Sequence, residues 1–233
     1  MKLHSVGMSL IALGLLLAAA VVEAADPSIG RASRITGDQS SSAQAPGGPV
    51  RRLAAGDPVF AGERIRTGAG TVLQIDFADK SRFTLGPNAE FEVERYVEEA
   101  FHSRVLKGAF RFVSGVIAHK RGGSMQVSVA VATIGIRGTH VEGEVSERQE
   151  KDGRMVDASA QVALLEPEGS KASAIVVENK FGSVVIDRPG FGTVIPDENS
   201  PPSPVQRMQL RTIDNLLRTI RSPARTGGPA RRP

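Results

Sequence analysis

Glu90, Glu92, Glu94, Glu98 and Glu99 form the densest group of acid–base side chains in the sequence. Carboxylates this close could act as acid and base on a glycosidic bond, or hold a divalent cation weakly through oxygen ligands. Phe91 and Val93 alternate with the first three, which places those glutamates on the outer side of an amphipathic strand. A solvated strand face is therefore the reading preferred to a hydrolase. His140-Val141-Glu142 matches half of a zinc-deaminase signature, but the other half needs Cys and the chain has none. The lack of Cys also excludes disulfides, thiolate zinc sites, thiol nucleophiles and a lipid-modified cysteine anchor. Gly68-Ala69-Gly70 starts like a dinucleotide fingerprint, but Leu73 occupies the third glycine position. No G-x-S-x-G, H-E-x-x-H or phosphate-binding loop occurs. The expectation is a protein that is not an enzyme, with no catalytic, cofactor-binding or metal-ligating residues.

Binding residues are the remaining candidates. Arg137 and Thr139, in Thr133–Thr139 (TIGIRGT), could contact a ligand or partner. The structural alternative is that glycines 135 and 138 shape a bend which Arg137 locks through backbone carbonyls. A second set is Arg207, Arg211, Arg218 and Arg221, which fall within an arc of about 80° on a helical wheel. That stripe could touch anionic headgroups, lipopolysaccharide or an acidic partner, or simply be the solvated side of a docked helix. From Pro204 onward seven Arg face one Asp, a net +6. The whole chain carries +4, so the rest sums to −2. A body that is not basic, without aromatic residues interleaved among cations, argues against nucleic acid.

These residues need elements to hold them. The chain has 233 residues, 40% apolar and 23% charged, which suits a globular fold. Met8–Val22 is an apolar run behind Lys2, and Val22-Glu23-Ala24 before Ala25 has the small residues of a secretory cleavage site. Residues 1–24 read as a signal peptide cleaved between Ala24 and Ala25, with a retained anchor as the alternative. The location expected is periplasmic or secreted.

Residues 25–49 read as one N-terminal strand, over Ile29–Ile35, and then a Ser/Gly/Pro loop over Gln39–Pro49. Over residues 50–196 short alternating runs are separated by turn residues, so an all-β domain is expected. Leu73, Ile75 and Phe77 share a face, as do Phe83 and Leu85, Phe110 and Phe112, and Val127, Val129 and Val131. Seven of the nine Phe lie between Phe60 and Phe112 and mark the core. Glu144–Arg154 is a charged insertion turning at Asp152-Gly153, after which two or three more strands follow. Sandwich, roll and solenoid remain open. Residues 197–233 read as a linker, an amphipathic C-terminal α-helix starting at Ser203-Pro204, and a basic tail.

Four segments together resemble the FecR domain family, named for a periplasmic regulator of ferric-citrate signalling. They are Leu53–Gly70 (LAAGDPVFAGERIRTGAG), Leu73–Glu90 (LQIDFADKSRFTLGPNAE), Lys107–Ile117 (KGAFRFVSGVI) and Val131–Thr139 (VATIGIRGT). Ile175–Ile195 also looks like the segment that follows the domain in stand-alone members. Lys80 stands where the family usually has Gly, so its turn either avoids positive φ or Lys80 tolerates it. The resemblance implies a non-catalytic sensory or binding module that recognises a protein or envelope ligand. A regulator of that family resembles a three-part protein with a cytoplasmic anti-sigma segment. The leader at Met1 leaves no room for one, so a direct sigma-factor role is not expected. The alternative expectation is a structural or assembly factor that meets an anionic envelope surface through its Arg stripe.

Overall fold

The computed structural model describes residues 27–165, 173–208 and 210, so the leader lies outside the described residues. The first strands are β1 (Gly30–Gly37), β2 (Ser41–Gln44), β3 (Val50–Arg52), β4 (Pro58–Val59) and β5 (Arg64–Thr67). Next come β6 (Thr71–Phe77), β7 (Arg82–Leu85), β8 (Glu90–Val97) and the long β9 (Ala100–Val113). After a 3-10 turn at Val116–His119 follow β10 (Ser124–Val129), β11 (Ala132–Arg137) and β12 (His140–Ser146). The charged insertion is a separate hairpin of β13 (Gln149–Lys151) and β14 (Arg154–Val156), turned by Asp152 and Gly153 at positive φ. β15 (Ser159–Leu165), β16 (Ala174–Asn179), β17 (Gly182–Ile186), β18 (Phe191–Ile195) and β19 (Gln206–Arg207) complete the described chain.

These strands form two sheets with β9 in common. The first runs β4-β1-β6-β7-β9-β12-β15-β18-β19. The second runs β3-β2-β5-β8-β9-β10-β11-β16-β17, and only its β9–β10 pair is parallel. The N-terminal half of β9 belongs to the second sheet and the C-terminal half to the first. The division falls at Gly108, whose φ of 94° bends the strand. A Cβ there would stand 2.6 Å from Ala89 Cα.

The inner faces of the two sheets meet in one apolar core. Phe83 of the first sheet lies 4.3 Å, centroid to centroid, from Phe91 of the second. Phe101 lies 4.9 Å from Phe77 and 5.2 Å from Phe112. Such ring pairs hold facing sheets together beyond the area they bury. Of the open alternatives, two packed sheets sharing one bent strand is the arrangement adopted.

Two expectations need correction. Residues 39–49 are not all loop. Ser41–Gln44 forms β2, because small alternating residues let Ala43 enter the core while the Ser41 hydroxyl donates to Leu53 O at 2.8 Å. The last strand within residues 50–196, Phe191–Ile195, pairs with β15. Gly192 permits this, as a Cβ there would come within 2.3 Å of Val162 O. The C-terminal helix does not begin at Pro204: Gln206 and Arg207 pair with Gly192 and Phe191 as β19. Sheet hydrogen bonds to an available edge outweigh a local capping preference there. Residue 209 and residues 211–233 lie outside the described residues. β1 and β2, from the segment read as preceding the β domain, pair with β6 and β5.

Replacing Gly108 with Ala should destabilise the fold by about 3 kcal/mol or more, since strain at positive φ adds to a backbone clash. Gly153→Ala, at φ 72° with open space around it, should cost only about 1 kcal/mol. Urea unfolding of the two variants, compared at equal slope, checks the contrast.

Candidate functional site

Of the glutamates that opened the chemical search, Glu90, Glu92 and Glu94 face outward from the second sheet, each beside an arginine, and Glu98 lies 3.3 Å from Lys120. Glu90 Oε1 lies 3.0 Å from Arg66 and 3.4 Å from Arg64. Glu92 lies 3.5 Å from Arg64 and Glu94 2.5 Å from Arg104. Cross-strand register sets these pairs, with Arg64 opposite Glu92 and Arg66 opposite Glu90. Carboxylates paired in this way form a charge ladder, and none stands opposite a second carboxylate as acid–base work on a glycoside requires.

Arg137 and Thr139 are separated by the turn between them. Arg137 ends β11, exposed on the outer face of the second sheet, while Thr139 is buried. Gly138 makes the bend at φ 60°, with the His119 ring 2.9 Å from where its Cβ would be. Gly135 is ordinary strand, opposite Val176. Arg207 is exposed in β19, on the edge of the first sheet. Arg211, Arg218 and Arg221 lie outside the described residues.

The structure brings together something the sequence did not suggest. At one rim of the two sheets is a groove of about 430 Å³ lined by Ala78, Asp79, Tyr96, Val97, Val116 and Ile117, with Glu98 and Lys120 at its mouth. Val97 and Val116 are exposed there. Tyr96, the only tyrosine, reaches the groove because β8 carries a bulge between Val93 and Arg95. That extra residue switches the inward side from odd to even positions. Tyr96 then stacks on Phe77 at 5.9 Å and meets Phe101 edge-on at 5.7 Å.

Asp79 organises the polar side. Its N–H donates to the Tyr96 hydroxyl at 2.7 Å, and that hydroxyl donates to Asp79 Oδ1 at 3.3 Å. Ser81 donates twice to the same carboxylate, from N at 3.0 Å and from Oγ at 2.7 Å. Gly115 N–H donates to Ser81 Oγ at 3.0 Å and Val116 N–H to Asp79 O at 2.8 Å. These bonds fasten the 3-10 turn to the β6–β7 turn. Lys80, at φ 68°, tolerates the left-handed conformation that a glycine would adopt freely. Behind this wall, Ser114 N–H donates to Thr139 O at 3.2 Å. Burial first, and then the Asp79 charge, push the Tyr96 phenol up to about 12. A neutral phenol, a carboxylate already engaged and several exposed aliphatic groups suit an apolar side chain or short aliphatic group. Two of the four recognised segments reach the groove, through the turn at Ala78–Ser81 and through Val116 and Ile117.

Comparison with known proteins bears on this site. Residues 63–166 match the family model described as FecR protein, a span that includes every lining residue of the groove. No curated protein matches the chain. Two crystal structures of a candidate anti-sigma factor from Parabacteroides distasonis ATCC 8503, at 1.65 and 2.50 Å resolution, are similar in fold, each with a TM-score of 0.51 and 11% identity. The overlap covers 66% of this chain and 64% and 63% of theirs, less than two thirds of their length. At that identity the likeness is one of fold.

With one Tyr and no Trp, tyrosinate absorbance reports Tyr96 alone. The folded protein should titrate near 12, and the unfolded chain near the ordinary 10.0. The folded state then holds the proton more tightly, so Tyr96's contribution to stability is complete below pH 10 and fades between pH 10 and 12. Tyr96→Phe should abolish that fade and cost about 1–2 kcal/mol through the lost hydroxyl bonds. Spectrophotometric titration and urea unfolding across that range check both.

Proposed function

We propose, on the premise that residues 63–166 form a FecR domain, that this chain is a periplasmic, non-catalytic sensory module. It works by receiving an apolar side chain or short aliphatic group of another envelope protein in the groove beside Tyr96. One observation carries the reading. Two of the four recognised segments line it, at the Ala78–Ser81 turn and at Val116–Ile117, and the Gly138-Thr139 bend of a third holds the neighbouring turn through Ser114. Family-specific residues otherwise scattered along the chain thus support a single exposed apolar surface. The leader motif supports export. Arg137, on the neighbouring outer face, is a secondary contact for a partner larger than the groove.

Photo-crosslinking in cells tests this. A crosslinker placed at Val97 or Val116 should capture a discrete envelope protein, while one at the still more exposed Val185 should not. Val116→Asp should reduce capture from the Val97 position at least about fivefold, as a buried charge replaces an apolar contact. Recovery of the protein in the cytoplasm, or equal capture from all three positions, would overturn the proposal.

A further inference from the structure

Among the described residues each sheet has two end strands, and three of the four are built to resist further pairing. β4 is two residues long and begins with Pro58. β19 is two residues long and carries Arg207, and β3 is three residues long and carries Arg51 and Arg52. Short, charged or proline-bearing strands are the usual protection of an open sheet edge. β17 has none of these devices. Its five residues, Gly182–Ile186 (GSVVI), include no proline and no charge.

Register shows which backbone groups this edge offers. Asn179 and Gly182 close a two-residue turn, and Val177–Val184 and Ile175–Ile186 pair beyond it. Hydrogen-bonded and non-hydrogen-bonded pairs alternate from that closing pair. The N–H and C=O of Ser183 and Val185 therefore point away from β16, and among the described residues no strand pairs with them. Both side chains are exposed, Val185 at 59%, and Phe181 in the turn is exposed at 45%. Lys180 Nζ stands 4.8 Å from the centre of the Phe181 ring. Asp187, also exposed, follows the other end of the strand.

We infer that β17 is a dimer edge, through which two copies of this chain pair antiparallel about a two-fold axis at Ser183. The edge is its own complement in this register. Ser183 faces Ser183 of the second copy, and Phe181 faces Val185 in both directions. Each copy thereby covers the other's exposed apolar side chains with aromatic–β-branched pairs. Lys180 comes to the end where Asp187 of the second copy lies, so opposite charges meet twice. Moving the axis by one residue, to Val184, sets Phe181 against Asp187 and Lys180 against Arg188, which removes both matches. That correspondence belongs to the edge itself, which is why the occupant is a second copy. The edge is short, so the dimer is weak and dissociates on dilution. β17 lies five strand spacings from β8, about 24 Å, so pairing leaves the groove beside Tyr96 open.

Sedimentation of the purified full chain tests this. The parent should be dimeric at about 100 μM and monomeric after about a hundredfold dilution. Val185→Lys puts a like charge beside Lys180 of the second copy, and Val185→Pro removes an N–H that β16 does not use. Each should raise the dissociation constant at least about tenfold, while circular dichroism of the dilute monomers should match the parent's. Because the chain has no Cys, single thiols report the register. Ser183→Cys should be oxidised to a linked dimer at least about tenfold faster than Glu178→Cys, which is exposed one strand further in. In cells, a photo-crosslinker at Val185 should give a product of twice the chain's own mass, and not a different protein as at Val97. A parent that stays monomeric at about 100 μM, a dimer indifferent to both substitutions, or equal oxidation at positions 183 and 178 would overturn the inference.

Discussion

The structure depends on one bent strand. β9 runs continuously from Ala100 to Val113, yet its two halves lie in different sheets, so a single peptide must turn without losing its neighbours. Gly108 makes this possible through a positive φ and a close approach to Ala89. Because inward positions switch parity at the bend, Phe101 and Val105 on one side and Phe110 and Phe112 on the other all reach the same core. Their rings join the sheets across the interior. Every other strand in the two sheets is referred to that hinge through its register.

From this arrangement follows a division of labour among surfaces. The second sheet's outer face is a ladder of Glu–Arg pairs, worth little to stability individually but keeping the face soluble. The first sheet's outer face is buried around Glu142 and Thr84. Where the rims of the sheets meet, turns from distant parts of the chain are laced by Asp79 and Ser81, leaving Val97 and Val116 exposed above Tyr96. A rigid, hydrogen-bonded rim around a small apolar opening is a surface suited to recognition, since little order has to be gained when something binds.

Much of the β pattern was legible. Alternation in Thr71–Phe77, Val127–Val131 and Ala160–Leu165 predicts inward residues that are buried, and the Phe-rich stretch is the core. The outward glutamates were legible for the same reason. Other features were hidden because they arise from irregularities or long-range pairing. The bulge in β8 that turns Tyr96 inward has no sequence signature, as a single extra residue inverts the expected alternation. β2 is written in Ser, Ala and Gln, and becomes a strand only because β5 and β3 flank it. Pro204 and Ser203 look like a helix start, but Ser203 instead bonds to the edge of β18, its N–H donating to Val194 O at 2.9 Å.

By itself the sequence determined the β class, the location of the core, the leader motif and the resemblance of four segments to FecR domains, whose family model matches residues 63–166. All of these are local properties of side-chain period, composition or order. Tertiary structure alone decided which sheet each strand entered, that two of those segments line one groove, and that one sheet face is wet and the other buried. Those outcomes depend on contacts between residues far apart in the chain, such as Asp79 with Tyr96 and Val116, or Leu210 with Ala109. No local pattern encodes the meeting of two turns, because the pairing energy is shared between them and appears only when the strands that carry them are in register.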